Sequence, residues 1–323
     1  MLIRFFKNNS PSSFILLPAF ALLLWGSAFW GQQAGVTYSM PLYDLLMKPL
    51  GDNIIGTIVA FLLIVGEAFL LNYIVNENEI LNKPSFLPAL LYIVFMSSEA
   101  AQLVFSPILF ANFFIIMAIF KLVSSYRKDI AFSNAFDAGI LLSIATLFYF
   151  PCVVFLPLLG IGFILFRPFN WHEWVISSIG VLVPYLFVFT YYFWNDKLGY
   201  WWNADAFFPG IRERTGLVVT PAFYFMAGIC MLIILVSFGK LFTGFLDATQ
   251  KNKKGIVLLL WFTAFALISI VIAPEFSFRS FSIFSIPMSV FCANYFLKIK
   301  KAWFGELLFM LLLLSIIINR VAG

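Results

Sequence analysis

The chain has 323 residues, 63% of them hydrophobic and 11% charged, with a net charge of +5. A soluble domain carries about 25% charge, so this composition excludes one and points to a protein built for lipid. The positive residues are scattered between apolar runs, which excludes a nucleic-acid surface, and Cys152, Cys230 and Cys292 all lie inside such runs, which excludes a disulfide framework or a thiolate metal site.

Arg4 and Lys7 precede an apolar run, Phe14 to Trp30, in the manner of a signal peptide. No small-x-small cleavage site closes that run, so we read it as a first transmembrane helix with its amino end in the cytoplasm. Further apolar passes fall at 54–74, 86–105, 107–124, 138–149, 152–166, 175–193, 218–239, 256–273, 281–297 and 302–319. The expectation is one all-α integral membrane domain over residues 1–323, with about eleven transmembrane helices.

The stretch from Phe136 to Trp194 organises the rest. Residues 138–166 carry no charge, and a straight helix of that length would reach about 43 Å, beyond the ~30 Å bilayer core. Pro151 lacks an amide proton and disfavours helical geometry at Phe150, so two short helices are expected, to about Tyr149 and from about Cys152. Arg167 marks a basic turn, and Pro184 interrupts the next pass, Val175 to Phe193. Threading the passes from a cytoplasmic amino end places fourteen of the twenty Lys and Arg inside, among them Lys121, Arg127, Lys128, Arg167 and Lys251-Asn252-Lys253-Lys254 of an inner loop, 240–255. That excess supports the orientation, as do Trp30, Trp171, Trp174, Trp194, Trp201, Trp202 and Trp303 at or near predicted boundaries.

Two acids lie inside predicted passes. Glu67 shares a helical face with Asn53, Gly56 and Ala60, and Glu99 shares one with Gln102 and Ser106. A carboxylate in hydrocarbon is costly enough to be a functional candidate, although for Glu67 structural pairing is the preferred reading. Glu99 is placed near the outer surface and Glu67 nearer the cytoplasm, too far apart for a dyad. In the first outer loop, Asp44 on the segment Pro41 to Leu50 is a candidate general base. The second outer loop carries Trp194, Trp201 and Trp202, whose rings suit sugars or prenyl chains, then Arg212 and Arg214, whose guanidinium forks suit phosphate. His172 is the chain's only histidine, and no metal motif, phosphate loop or cofactor signature is present in the sequence.

Ser106-Pro107 opening a pass, the basic turn Tyr126-Arg127-Lys128, Gly139 leading to Phe148-Tyr149-Phe150-Pro151, the run to Leu165-Phe166-Arg167, and Pro184 together resemble the membrane core of GT-C-type polyprenyl-phosphate-sugar glycosyltransferases. The resemblance covers a core of about residues 10–200, with C-terminal helices over about 218–319. The whole chain also looks like a Phe-rich polytopic inner-membrane family of Bacteroidota. The resemblance implies a bacterial inner-membrane protein acting on its outer face, with Asp44 as the catalytic acid of the first outer loop; Glu99 is a second catalytic candidate on its place in a predicted pass alone. Arg212, Arg214 or Arg279 would hold the lipid phosphate. Membrane lipids and a polyprenyl-phosphate sugar are the implied partners. Leu45 stands where the GT-C pattern has a second acid. That departure leaves a non-catalytic scaffold or partner subunit of a cell-envelope assembly as the alternative, and a transporter as a third.

Overall fold

The computed structural model describes residues 2–7, 11–29, 40–46, 54–81, 83–99, 102–126, 128, 131–167, 169–197, 199, 221–245, 249–273, 278–299 and 302–322. Among these the secondary structure is helical, with no strand. The α-helices are α1 (Leu2–Phe6), α2 (Pro11–Trp25), α3 (Pro41–Leu46), α4 (Ile54–Glu77), α5 (Leu87–Met96), α6 (Pro107–Val123), α7 (Phe132–Phe148), α8 (Pro157–Phe166), α9 (Trp171–Trp194), α10 (Pro221–Phe245), α11 (Gln250–Ile272), α12 (Ser285–Lys298) and α13 (Ala302–Ala322). Short 3-10 helices at Phe150–Phe155 and Phe278–Phe284 lead into α8 and α12.

Every expected pass coincides with a helical stretch, but length separates them. Six are long and apolar enough to cross a membrane: Ile54–Glu77, Trp171–Trp194, Pro221–Leu241, Gln250–Ile272, Arg279–Lys298 and Trp303–Arg320. The other five apolar helices have 10–17 residues. At ~1.5 Å per residue a ten-residue helix covers only about 15 Å, half of a bilayer core.

Local chemistry explains where the sequence reading and the structure part. The pass expected over 86–105 stops as a helix at Met96, because side chains take over the backbone bonding: Ser98 Oγ lies 2.8 Å from Phe95 O and 2.9 Å from Gln102 Oε1, which also accepts from the Glu99 amide at 3.2 Å. Glu99 therefore sits in a turn and not on a helix face. The break at Phe150-Pro151 is present, but the second helix starts at Pro157, after a 3-10 turn opened by Pro151. Pro184 does not interrupt α9, which runs through it. Ser143 Oγ of α7 donates to Val181 O at 2.7 Å in that same turn, supporting the backbone where the proline weakens it. The expected inner loop 240–255 is shorter, since α10 continues to Phe245 and α11 begins at Gln250 with Thr249 as its cap.

Contacts at the helix ends show that successive helices alternate in direction. At one end, called here the Arg167 end, Phe6 O accepts from the Phe86 amide, Lys121 pairs with Asp137 at 2.7 Å, Arg167 pairs with Glu173 at 2.8 Å, and Lys254 lies 5.2 Å from the Tyr126 ring centroid. At the other, the Asp44 end, Tyr43 of α3 reaches Phe105 O just before α6, Tyr149 just after α7 reaches Ser280 of the Phe278–Phe284 turn, and Arg320 near the end of α13 reaches Ser97 O at the end of α5. Glycines set the tightest crossing: a Cβ on Gly180 of α9 would lie 2.5 Å from Phe136 O of α7, and one on Gly139 still closer to Ser177 O. Small residues at such crossings let the two backbones approach.

Candidate functional site

At the Asp44 end, aromatic rings fix the short helix α3. Tyr43 is buried, its hydroxyl donates to Phe105 O at 3.4 Å, and its ring meets Phe105 and Phe110 at 5.9 and 6.3 Å. Phe110 stacks on Phe148 at 5.2 Å, and the neighbouring Tyr149 hydroxyl lies 3.3 Å from Ser280 Oγ. This chain of contacts joins α3 to the turn that carries Arg279. Asp44 is half-buried and lies near the buried Tyr192 of α9. Trp194, two residues on, is 84% exposed. The structure thus brings Asp44, Arg279 and Trp194 to one end of the bundle; Trp201, Trp202, Arg212 and Arg214 lie outside the described residues.

Glu99 belongs to a second polar group at this end. Its Oε1 accepts from Asn319 Nδ2 at 2.8 Å, and Arg320 stands near enough to interact with it electrostatically. The Arg320 guanidinium donates to Leu24 O at the end of α2 and to Ser97 O at the end of α5. One cation therefore ties three helix ends together, where the helix dipole favours positive charge. Asn319-Arg320 closing an apolar pass was the available signal for this cluster, and the sequence reading gave it no role.

Glu67 is separate and fully buried. Its Oε2 accepts from the Tyr92 hydroxyl at 2.7 Å, with Asn112 as Tyr92's polar neighbour on the other side. Asn112 Nδ2 donates to Ser282 O at 3.4 Å, so the chain runs from α4 through α5 and α6 to the 3-10 turn before α12. Gly56 and Ala60 are buried on the same helix face, as the small-residue stripe predicts; Asn53 is not among the described residues. The carboxyl is spent on packing, in agreement with the structural reading. The cysteines are free, and no cluster of three metal-ligating side chains occurs among the described residues.

Among the described residues lie two cavities of similar volume. One, about 600 Å³, is an apolar groove between α8 and α9, where Gly160 leaves room for the Trp174 ring. The other, about 560 Å³, lies at the Arg167 end between α2 and α4 and is lined by Asn72, Tyr73, Asn76 and Glu77 beside Phe14 and Phe69.

Long apolar helices whose outward faces carry Leu182, Leu186 and Phe187, with Trp171 59% exposed and Trp194 84% exposed at the two ends of α9, define a multi-pass membrane protein. Within that class the chain belongs to DUF6427, a family of unknown function, whose family model matches residues 43–322. No curated protein and no solved structure matches it.

Proposed function

We propose that the protein transfers a sugar from a polyprenyl phosphate at the outer face of a bacterial inner membrane, working at the Asp44 end of the bundle. In this reading the eleven apolar helical stretches form a GT-C-like arrangement with the amino end in the cytoplasm. The placement of charge supports the orientation: Lys121, Lys128, Arg167 and Lys254 gather at the opposite end. The observation that carries the reading is the contact chain Tyr43, Phe110, Phe148, Tyr149 and Ser280, which ties the helix bearing Asp44 to the turn bearing Arg279. Transfer needs a base for the acceptor hydroxyl and a cation for the departing phosphate in one place. Asp44 takes the first role and Arg279, with Arg212 and Arg214, the second; Trp194, Trp201 and Trp202 offer stacking faces. Asp44 is preferred to Glu99 as base because it sits on the helix that this contact chain ties to the Arg279 turn, whereas Glu99 pairs with Asn319 of α13.

Asp44→Asn keeps shape and removes the base, so in proteoliposomes it lowers transfer from a radiolabelled polyprenyl-phosphate hexose panel by about 10² or more, with unfolding unchanged. Transfer by this variant at the wild-type rate removes the catalytic assignment. A second reading, a non-catalytic subunit of an envelope assembly, is favoured by one observation: Arg320 and Arg167, two of the most enclosed cations, serve helix ends and loop carbonyls. That reading expects no transfer by the wild-type protein either.

A further inference from the structure

The cavity at the Arg167 end has a chemical character that neither the fold nor the proposed reaction uses. Phe69, Asn72, Tyr73, Asn76 and Glu77 recur at i, i+3, i+4, i+7 and i+8, one face of α4, and all line the cavity. Phe14 of α2 closes it, with its ring 4.5 Å from Phe69. Pro84 and Phe86 form the remaining wall, held to α4 by a reciprocal pair in which Asn76 Nδ2 donates to Ser85 O and Asn76 Oδ1 accepts from the Ser85 amide, both at 3.2 Å.

Two of the groups left at the cavity are acceptors. Asn72 is 4% exposed, and its Oδ1 is buried without a hydrogen-bond partner. Glu77 is exposed and makes no ion pair among the described residues. It is the last residue of α4, where the helix dipole is negative and favours a cation. The helix closes tightly there: the Ile80 amide bonds Val75 O at 2.9 Å and the Glu79 amide bonds Asn76 O at 3.2 Å, with Glu79 at φ 52°. That closure turns the chain back and leaves the Glu77 carboxylate at the cavity. Aromatic faces beside a carboxylate and an unpaired carbonyl oxygen suit a group that brings both positive charge and N–H donors.

We propose that this cavity binds the primary ammonium of a phosphatidylethanolamine headgroup, with Glu77 and Asn72 Oδ1 as its acceptors. Location argues for a lipid over a soluble amine. α4 has 24 residues, about 36 Å, so its last turn reaches the membrane interface. Phe14 is 54% exposed and Ile15 75%, which gives acyl chains an apolar track along α2 below the headgroup. Lys83, exposed and next to Pro84 of the rim, is placed for the phosphodiester. The site lies at the opposite end from Asp44, so its test is independent of the transfer reaction.

Native mass spectrometry of the full chain, released from micelles containing equal phosphatidylethanolamine and phosphatidylglycerol, reads the preference directly. Wild type retains phosphatidylethanolamine selectively. Glu77→Gln removes one charge-assisted bond and weakens retention about tenfold; Asn72→Leu weakens it as well, and Asn72→Asp strengthens it. A soluble amine, ethanolamine, added at millimolar concentration leaves the lipid bound. Equal retention of the two lipids, retention unchanged in Glu77→Gln, or displacement by ethanolamine overturns the proposal. So does an empty cavity in the purified protein, the outcome expected if a lysine of a partner protein fills it. Each variant is checked by thermal unfolding, and Asn72→Asp, a gain of binding, cannot be produced by misfolding.

Discussion

The crossing of α7 and α9 converts directly into a stability experiment. Gly180→Ala places a methyl 2.5 Å from Phe136 O and 3.3 Å from Ile140 N. An ordinary carbon-to-oxygen contact is about 3.3–3.6 Å, so the helices must separate by about 1 Å. Separation weakens the two bonds that bridge them, Ser143 Oγ to Val181 O at 2.7 Å and Thr146 Oγ1 to the Tyr185 hydroxyl at 2.6 Å. Each is worth about 1 kcal/mol, overpacking adds about 1–3 kcal/mol, and the better helix propensity of alanine returns about 1 kcal/mol, leaving a net loss of about 2–4 kcal/mol. Gly66 and Gly228 supply the control, since a Cβ on either meets nothing within 4 Å. Alanine at those two positions leaves stability unchanged or raises it by up to about 1 kcal/mol. Thermal or denaturant unfolding in detergent micelles measures all of them. If Gly180→Ala proves as stable as Gly66→Ala, the close crossing is wrong. Gly139→Ala behaves like Gly180→Ala, and the double variant loses less than the sum, because the first substitution has already moved the helices apart.

Two more substitutions probe the buried polar groups. Tyr92→Phe removes the hydroxyl that donates to the buried Glu67 carboxyl and costs about 1–3 kcal/mol of unfolding free energy, while adding Glu67→Leu recovers part of that loss; strictly additive effects would show that the 2.7 Å bond contributes nothing. Arg320→Met removes the donor shared by Leu24 O and Ser97 O and costs about 3 kcal/mol or more in the same assay, with Arg320→Lys recovering only part because a single ammonium cannot reproduce the planar fork; full recovery by lysine would contradict the two-carbonyl geometry.

Hydropathy made the helical positions legible because apolar runs in a membrane protein are long and unbroken. It did not make their lengths legible, because what ends a helix here is local side-chain bonding: Ser98 and Gln102 stop α5 at Met96, and Pro157 starts α8 later than Pro151 suggested. The buried pairing of Glu67 was readable from its small-residue stripe, whereas Tyr92 as its partner was not, since nothing in a run from Leu87 to Met96 distinguishes one tyrosine among buried neighbours. Arg320 was placed at a helix end, and only the fold shows that the ends of α2 and α5 meet it. The cavity face of α4 could have been found from the sequence alone, since Asn72, Tyr73, Asn76 and Glu77 form a polar stripe at helical spacing at the end of an apolar helix.

Where those polar residues sit follows from the solvent. Of the six candidate spans, Arg279–Lys298 is the least hydrophobic and the most buried, at 83% of its apolar window, while Trp171–Trp194 is 11% buried. In water that order would be reversed. In lipid an unpartnered hydroxyl or amide is costly at the surface, so a helix rich in Ser280, Ser282, Ser285, Ser289 and Asn294 is driven inward, where carbonyls and other side chains satisfy it. Ser285 Oγ and Ser289 Oγ reach Ser282 O and Ile286 O within the helix, and Asn112 reaches Ser282 O from α6. The outward apolar faces of α9 and α10 are then the ones left to contact acyl chains. Polar function must therefore enter from the two ends of the bundle, and the two ends differ: aromatic packing around Asp44 and Arg279 at one, and an acceptor-lined cavity around Asn72 and Glu77 at the other. In the two proposals a phosphate faces Arg279 at the first end and an ammonium faces Glu77 at the second, so each rests on the charge of a single side chain and not on that of a whole end.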